Sequence, residues 1–268
     1  MVANESGHTR SLFFSDDKQT EGPRAVTVFL HGLGSSSCFY QTIIPSLTKF
    51  TRCLAIDSPG SGLSEIDEGS SSLLDTISQS ISSVLKHLDI QDQVVVVGHS
   101  MGCIVATSFA ARNPHLVKAV VLLGPVDPSP SLEDVFRKRI AVVEKDGLEP
   151  LANSIPTAAT GSKAGSLQHA FIRSLILGTS TQGYIQLCDA IATAKSPLYS
   201  SINVPLLIIA GMEDKTAPML GCQNILKAYR TIQENKRLEV LDGVGHWHCV
   251  EAPDLVAHLI SSFVSRTI

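Results

Sequence analysis

The stretch that most restricts the fold is VVVVGHSMGCIVATSFAARNP, residues 94–114. Four consecutive valines put β-branched side chains on both sides of an extended segment, which suits a strand covered on both faces. From Met101 a run of small and apolar residues continues to Arg112-Asn113-Pro114 and reads as a helix. Between the two stands Gly98-His99-Ser100-Met101-Gly102. The chain has to turn sharply at the serine, whose backbone is then strained, and a bulky residue at Gly98 or Gly102 would clash with the neighbouring strand and helix. The result is a hydroxyl presented at the carboxyl end of a strand and at a helix N-terminus. That end has unpaired N–H groups and a positive dipole, both favourable to developing negative charge.

The same signal recurs along the chain. AVTVFL (25–30), RCLAIDSPG (52–60), AVVLLG (119–124), VPLLIIAG (204–211) and RLEVLDG (237–243) read as strands, most of them continuous, β-branched and closed by Gly or Pro. LLDTISQSISSVLKHLDI (73–90) and LVAHLISSFVS (255–265) have helical patterns. Strand–helix alternation implies an α/β fold: a mostly parallel central sheet with helices on both faces. No strand pattern occurs between Gly124 and Asn203, so residues 128–200 are expected to form a helical cap on a core made of 1–127 and 201–268. The serine run at 69–72 is expected to be a surface loop. With 268 residues, 44% apolar and 17% charged, the chain can bury a large core.

Composition also excludes. The net charge of −4, without a Lys/Arg cluster, argues against a nucleic-acid surface. Six cysteines, at 38, 53, 103, 188, 222 and 249, form no CxxC pair, and several lie in apolar runs where a thiol is a small hydrophobe. The N-terminus has no apolar core of signal-peptide length, and no run approaches a membrane span. The expectation is a cytoplasmic protein without membrane attachment or disulfide framework.

A serine hydroxyl is a weak nucleophile until a base takes its proton. His246 in GVGHWHCVEAP (243–253) is the candidate base, and Asp214 in GMEDKTAP (211–218) the acid that would orient it. The order Ser100, Asp214, His246 is the one expected when a strand–turn–helix serine is the nucleophile. Rivals exist. His248 could replace His246, Asp127 after AVVLLG is an alternative acid, and Glu213 adjoins Asp214. His31 and His99 flank the glycine-rich loop and the turn, where structural roles are the commoner reading. His-Trp-His-Cys could suggest a metal, but no second ligand pair with zinc spacing accompanies it. HGLGSSS (31–37) follows AVTVFL, and its glycines let backbone N–H groups turn inward. The N–H groups of Leu33 and Met101 are candidate oxyanion donors.

Together HGLGSS, DSPGSGLS (57–64), GHSMG, GMEDKTAP and GHWHCVEAP resemble the α/β-hydrolase superfamily in order and spacing, with Gly245, His246, Glu251 and Pro253 matching its last motif. KRIAVVEKDGLEPLANSI (138–155) and TQGYIQLCDAIATAKSPLYSSINVP (181–205) are similar to the cap of the 3-oxoadipate enol-lactonase branch. That resemblance implies opening of small lactone or ester bonds by a serine triad, with no cofactor and no metal. Two places depart from it: the region before AVTVFL lacks a clear first hairpin, and PTAATGSKAG (156–165) does not match. Gly-His-Trp at 245–247 also resembles C–C bond hydrolases of vinylogous diketones, in which a cap arginine, here Arg173, would hold a substrate carboxylate; the alternative for Arg173 is an exposed helix face. A small-molecule receptor on the same fold is a further alternative. Phe39, Tyr40, Phe136, Phe171, Tyr184 and Trp247 are candidates for the pocket wall. The expected partner is a small ester or lactone, acted on by a monomer or homodimer.

Overall fold

In a computed structural model, residues 2–3, 9–18, 25–66 and 72–267 are described; residues 69–71 of the expected serine-rich loop lie outside them. Each of the six apolar runs becomes a strand, and three more strands join them. In chain order these are β1 (Val2–Ala3), β2 (Thr9–Arg10), β3 (Phe14–Asp17), β4 (Val26–Leu30), β5 (Arg52–Ile56), β6 (Val94–His99), β7 (Val117–Leu123), β8 (Leu206–Gly211) and β9 (Lys236–Leu241). The short β1 and β2 pair antiparallel with each other, so the segment ahead of β4 does contain paired strands. The other seven form one sheet in the order β3-β5-β4-β6-β7-β8-β9. It is parallel except for β3, which runs antiparallel to β5 at the edge.

The strand β3 carries no continuous apolar run, which is why periodicity does not reveal it. Its FSDD is partly exposed, and Asp16 accepts two 2.7 Å hydrogen bonds from Arg52 on the neighbouring strand. Charged edge residues of this kind discourage pairing with another chain. RCLAIDSPG stops being a strand at Ile56, ahead of Pro59, which has no N–H to donate, and Gly60, which has a φ of 75°.

The helices are α1 (Ile44–Leu47), α2 (Leu73–His87), α3 (Met101–Arg112), α4 (Pro130–Asp146), α5 (Glu149–Ala158), α6 (Ser166–Leu177), α7 (Thr181–Ala192), α8 (Met219–Ala228), α9 (His248–Glu251) and α10 (Pro253–Thr267). The valine run explains the layering. Val94 and Val96 pack into one apolar cluster with Ile77, Ile81 and Phe109 of α2 and α3. Val95 and Val97 pack into a second, with Ile260 and Phe263 of α10. Between β7 and β8 the chain contains four helices, α4 to α7, with α4 against α7 and α5 against α6. No helix among the described residues is long and apolar enough to cross a membrane.

The strand order places the site. β4 has β5 on one side and β6 on the other, so the chain changes direction across the sheet there, and a crevice opens at the carboxyl ends of the strands. Leu30 pairs with Gly98, and Gly211 with Leu241. The loops after β4 and β6 therefore start side by side, as do the loops after β8 and β9.

Candidate active site

Ser100 sits between β6 and α3 with φ 53° and ψ −115°. A left-handed φ at a non-glycine residue costs about 1–3 kcal/mol and persists only where the surroundings dictate it. Here they do. Any side chain at Gly98 would run into the Gly102 carbonyl, and any at Gly102 into the Leu30 carbonyl of β4. The Ser100 N–H donates to the Leu123 carbonyl (3.0 Å), and the Ser100 carbonyl accepts from the Cys103 N–H (3.0 Å). The turn is clamped by backbone on every side.

The loops after β8 and β9 bring Asp214 and His246 together. Asp214 Oδ2 accepts a 2.8 Å hydrogen bond from His246 Nδ1, and Oδ1 accepts from the N–H groups of Thr216 (2.8 Å) and Ala217 (2.9 Å). Burial alone would raise the Asp214 pKa; the His246 ring, helped by these donors, outweighs it and holds the carboxyl down at about 2. An ionised carboxylate can only accept, so His246 Nδ1 carries the proton of this bond and Nε2 is the nitrogen left outside it. Room for the pair comes from Gly124, at the end of β7, with a φ of 51°. A Cβ there would lie 2.6 Å from His248 Cε1, 3.0 Å from Asp214 Oδ2 and 3.2 Å from His246 Nδ1. Sequence reasoning passed over Gly124; its one signal was the glycine that closes AVVLLG.

The rivals fall elsewhere. His248 is fully buried, and burial lowers its pKa to about 4, so it is neutral at pH 7. Asp127 has its carboxyl beside Asn224. Glu213 points away from His246 and accepts from the N–H (2.8 Å) and hydroxyl (2.7 Å) of Ser162. His31 Nε2 accepts from the Ser58 N–H (2.8 Å), which leaves Nδ1–H to donate to the Gly32 carbonyl (2.7 Å). His99 donates from Nε2 to the His246 carbonyl (2.8 Å) and stacks on Phe39 with centroids 4.3 Å apart. Burial lowers the pKa of both rings, and each fixes backbone around the site. Among the described residues no three His, Cys, Asp or Glu side chains stand close enough to hold a metal.

Ser100 and His246 line one cavity together with Leu33, Phe136, Arg139, Ile155, Ile176, Tyr184, Thr216 and Trp247. Met101 occupies the first position of α3, where backbone N–H groups have no intrahelical acceptor. The cavity measures about 30 Å³, room for about two water molecules. Of the six expected wall residues, Phe136, Tyr184 and Trp247 are on it; Phe39, Tyr40 and Phe171 are not, and neither is Arg173. Phe39 and Tyr40 are fully buried beneath it, with the Tyr40 hydroxyl donating to the Leu30 carbonyl (2.8 Å). Phe171 packs into the α10 cluster. Arg173 lies on an exposed face of α6 and donates to Asn153. The guanidinium on the wall is Arg139 of α4, 5.1 Å from the Phe136 ring centroid and beside the Tyr184 hydroxyl. Its neighbour Arg137 pairs with Asp189 and Glu133, whereas among the described residues no carboxylate pairs with Arg139.

Comparisons with known proteins bear on this geometry. The family model described as the alpha/beta hydrolase fold matches residues 26–253. The chain is 26% identical to monoacylglycerol lipase abhd6-A of Xenopus laevis, over 99% of this chain and 82% of that protein. It is 27% identical to 3-oxoadipate enol-lactonase 1 of Acinetobacter baylyi, over 98% of this chain and 96% of that one. The enol-lactonase of Burkholderia xenovorans LB400 superposes with a TM-score of 0.86 at 23% identity, covering 96% of this chain and 97% of the other.

Proposed function

Because the chain belongs to the alpha/beta hydrolase fold family, we propose that it is a serine hydrolase that cleaves a carboxylic ester or lactone of a small organic substrate through an acyl-enzyme. The observation that carries this reading is the cavity shared by a strained Ser100 and a His246 whose Nδ1 is held by an ionised Asp214. Ser100 Oγ attacks the carbonyl carbon while His246 Nε2 takes the hydroxyl proton. The N–H groups of Leu33 and Met101 receive the oxyanion. Collapse breaks the carbonyl carbon–oxygen bond, and His246 returns the proton to the leaving alkoxide. Water then attacks the acyl-enzyme with His246 again as base, releasing the carboxylic acid and restoring Ser100.

Residues 128–200 act in this reading as a cap. A cavity of about 30 Å³ is far below the several hundred Å³ of ordinary ligand pockets. Part of the insertion therefore yields to admit substrate and excludes water when it returns. The polar groups on the wall are Ser100, His99, His246, Thr216, Arg139 and Tyr184, and the rest of it is apolar. Arg139 on the wall favours a substrate with an anionic group besides the scissile bond, since an arginine holds a carboxylate through two parallel hydrogen bonds. Arg173, on an outer face, gives the C–C hydrolase reading no support.

The test is reaction of the purified protein with a fluorophosphonate, followed by mass spectrometry, with Ser100→Ala as control. Adduct on Ser100, absent from the variant, together with turnover of short-chain esters or lactones, is the expected result. A folded wild type that neither labels nor hydrolyses any of them overturns the reading.

A further inference from the structure

The segment that did not match the enol-lactonase pattern, PTAATGSKAG, leads from α5 towards α6 and lies against the loops that follow β8 and β9. The Ala159 carbonyl accepts from the His246 N–H (2.8 Å), and the Lys163 N–H donates to the Gly243 carbonyl (3.1 Å). Ser162 is held by Glu213, the residue before Asp214. At the centre is Glu251. Its Oε2 accepts from the N–H groups of Gly161 (2.7 Å) and Gly245 (2.8 Å), and its Oε1 from the N–H of Trp247 (2.8 Å). One carboxylate thus grips the backbone on both sides of His246 and the inserted strap as well. The approach is close enough to require glycine on both chains. A Cβ on Gly245 would lie 2.6 Å from the Gly161 nitrogen, and one on Gly161 2.5 Å from the Gly243 carbonyl oxygen.

Helix capping explains only part of this. Trp247 precedes α9, so its N–H, which has no acceptor within that helix, is met by Glu251 at the end of the same turn. The bonds from Gly245 and Gly161 do nothing for that helix. Glu251 is buried, and among the described residues no cation pairs with it. Its charge is met by the three N–H dipoles, bonds that are shorter and stronger than neutral ones.

We propose that Glu251 is a positioning residue: it locks the α5–α6 strap to the backbone flanking His246, so that the histidine loop and this side of the insertion move as one body. The proposal rests on His246 being the general base. If so, the α5–α6 strap is not the edge that lifts to admit substrate; it is part of the scaffold that aims the imidazole.

Glu251→Gln tests it. An amide keeps one acceptor oxygen and turns an NH₂ towards a backbone N–H, so either Trp247 or the glycine pair loses its partner. Fluorophosphonate labelling of Ser100 and kcat for a short-chain ester should fall together, roughly tenfold to a hundredfold, with KM near its wild-type value. The downfield NMR resonance of the His246 Nδ1 proton should shift or broaden. Glu251→Asp, one methylene too short to reach both sets of donors, should act in the same direction. In the wild type, the amide protons of Gly161, Gly245 and Trp247 should show one common opening free energy once each exchange rate is divided by its intrinsic rate; this decides the matter if the variants fail to fold. A folded Glu251→Gln with wild-type labelling and an unmoved Nδ1 resonance overturns the proposal, as do three unrelated opening free energies. If the wild type itself neither labels nor hydrolyses any ester or lactone, the hydrolase reading fails, and the Nδ1 resonance and the opening free energies judge the clamp independently of it.

Discussion

Around Ser100 the chain is held by contact between main-chain atoms: Gly98 against Gly102, Gly102 against the end of β4, and the serine N–H on Leu123. Around His246 it is held by side-chain carboxylates that reach across the fold. Asp214 holds the ring, Glu251 the flanking backbone and the strap, and Glu213 the strap again. The first arrangement is steric and is written within a few consecutive residues. The second adds carboxylate hydrogen bonds to close glycine contacts, and it joins the loop after β8, the loop after β9 and the link between α5 and α6. A steric lock tolerates almost no substitution. A hydrogen-bonded lock can be weakened a bond at a time, and it responds to acid.

Four substitutions break or sharpen that contrast. Ser100→Ala has the largest expected effect on rate: about 10⁶-fold in turnover, with an unchanged circular-dichroism spectrum, because alanine adds nothing to the strained turn. Asp214→Asn should lower kcat about 10⁴-fold, since an amide can favour the wrong imidazole tautomer. It should also alter acid stability. The Asp214 carboxyl titrates at about 2 in the folded protein, below its ordinary value of 3.8. Its contribution is thus present above pH ~4 and lost as the pH falls through ~2. Urea unfolding of the asparagine variant should be less steep in pH over that window, and an unchanged slope would remove Asp214 as the cause.

Gly102→Ala probes the steric half. One methyl group driven into the Leu30 carbonyl should cost several kcal/mol, roughly 3 or more, seen as a large fall in Tm; an unchanged Tm would show that the turn relaxes and that contact does not hold it. Arg139→Ala is the mildest. It should raise KM about tenfold for esters carrying a carboxylate and leave neutral esters nearly unaffected, and equal effects on both would deny the guanidinium a part in selection.

Much of this was legible before any coordinates. Continuous β-branched runs closed by Gly or Pro mark buried parallel strands because a strand covered on both faces has no polar side to alternate, and Val94–Val97 divide between the two cores accordingly. Gly98 and Gly102 announce a tight strand-to-helix turn because a Cβ at either position would run into backbone there. The candidates Asp214 and His246 are marked by the motifs GMEDKTAP and GHWHCVEAP and by the order expected after a strand–turn–helix serine. These are local properties, and neighbouring residues suffice to state them.

Tertiary structure alone decided the rest. The edge strand β3 is stabilised by Arg52, a partner 36 residues away from Asp16, and shows little periodicity of its own. Arg139 rather than Arg173 reaches the cavity, because the rotation of α4 and α6 against the sheet is set by packing with α7 and α5 and not by helical pattern. Gly124 matters only once Asp214 and His246 converge over it. Glu251 and the strap it holds are invisible along the chain: the Gly161–Glu251 bond joins residues 90 positions apart. The sequence determined the buried strands and the turn that presents Ser100, since those depend on residue pattern and backbone sterics within a few residues. The aim of the imidazole and the closing of the site depend on contacts between distant segments, which exist only after the chain has folded.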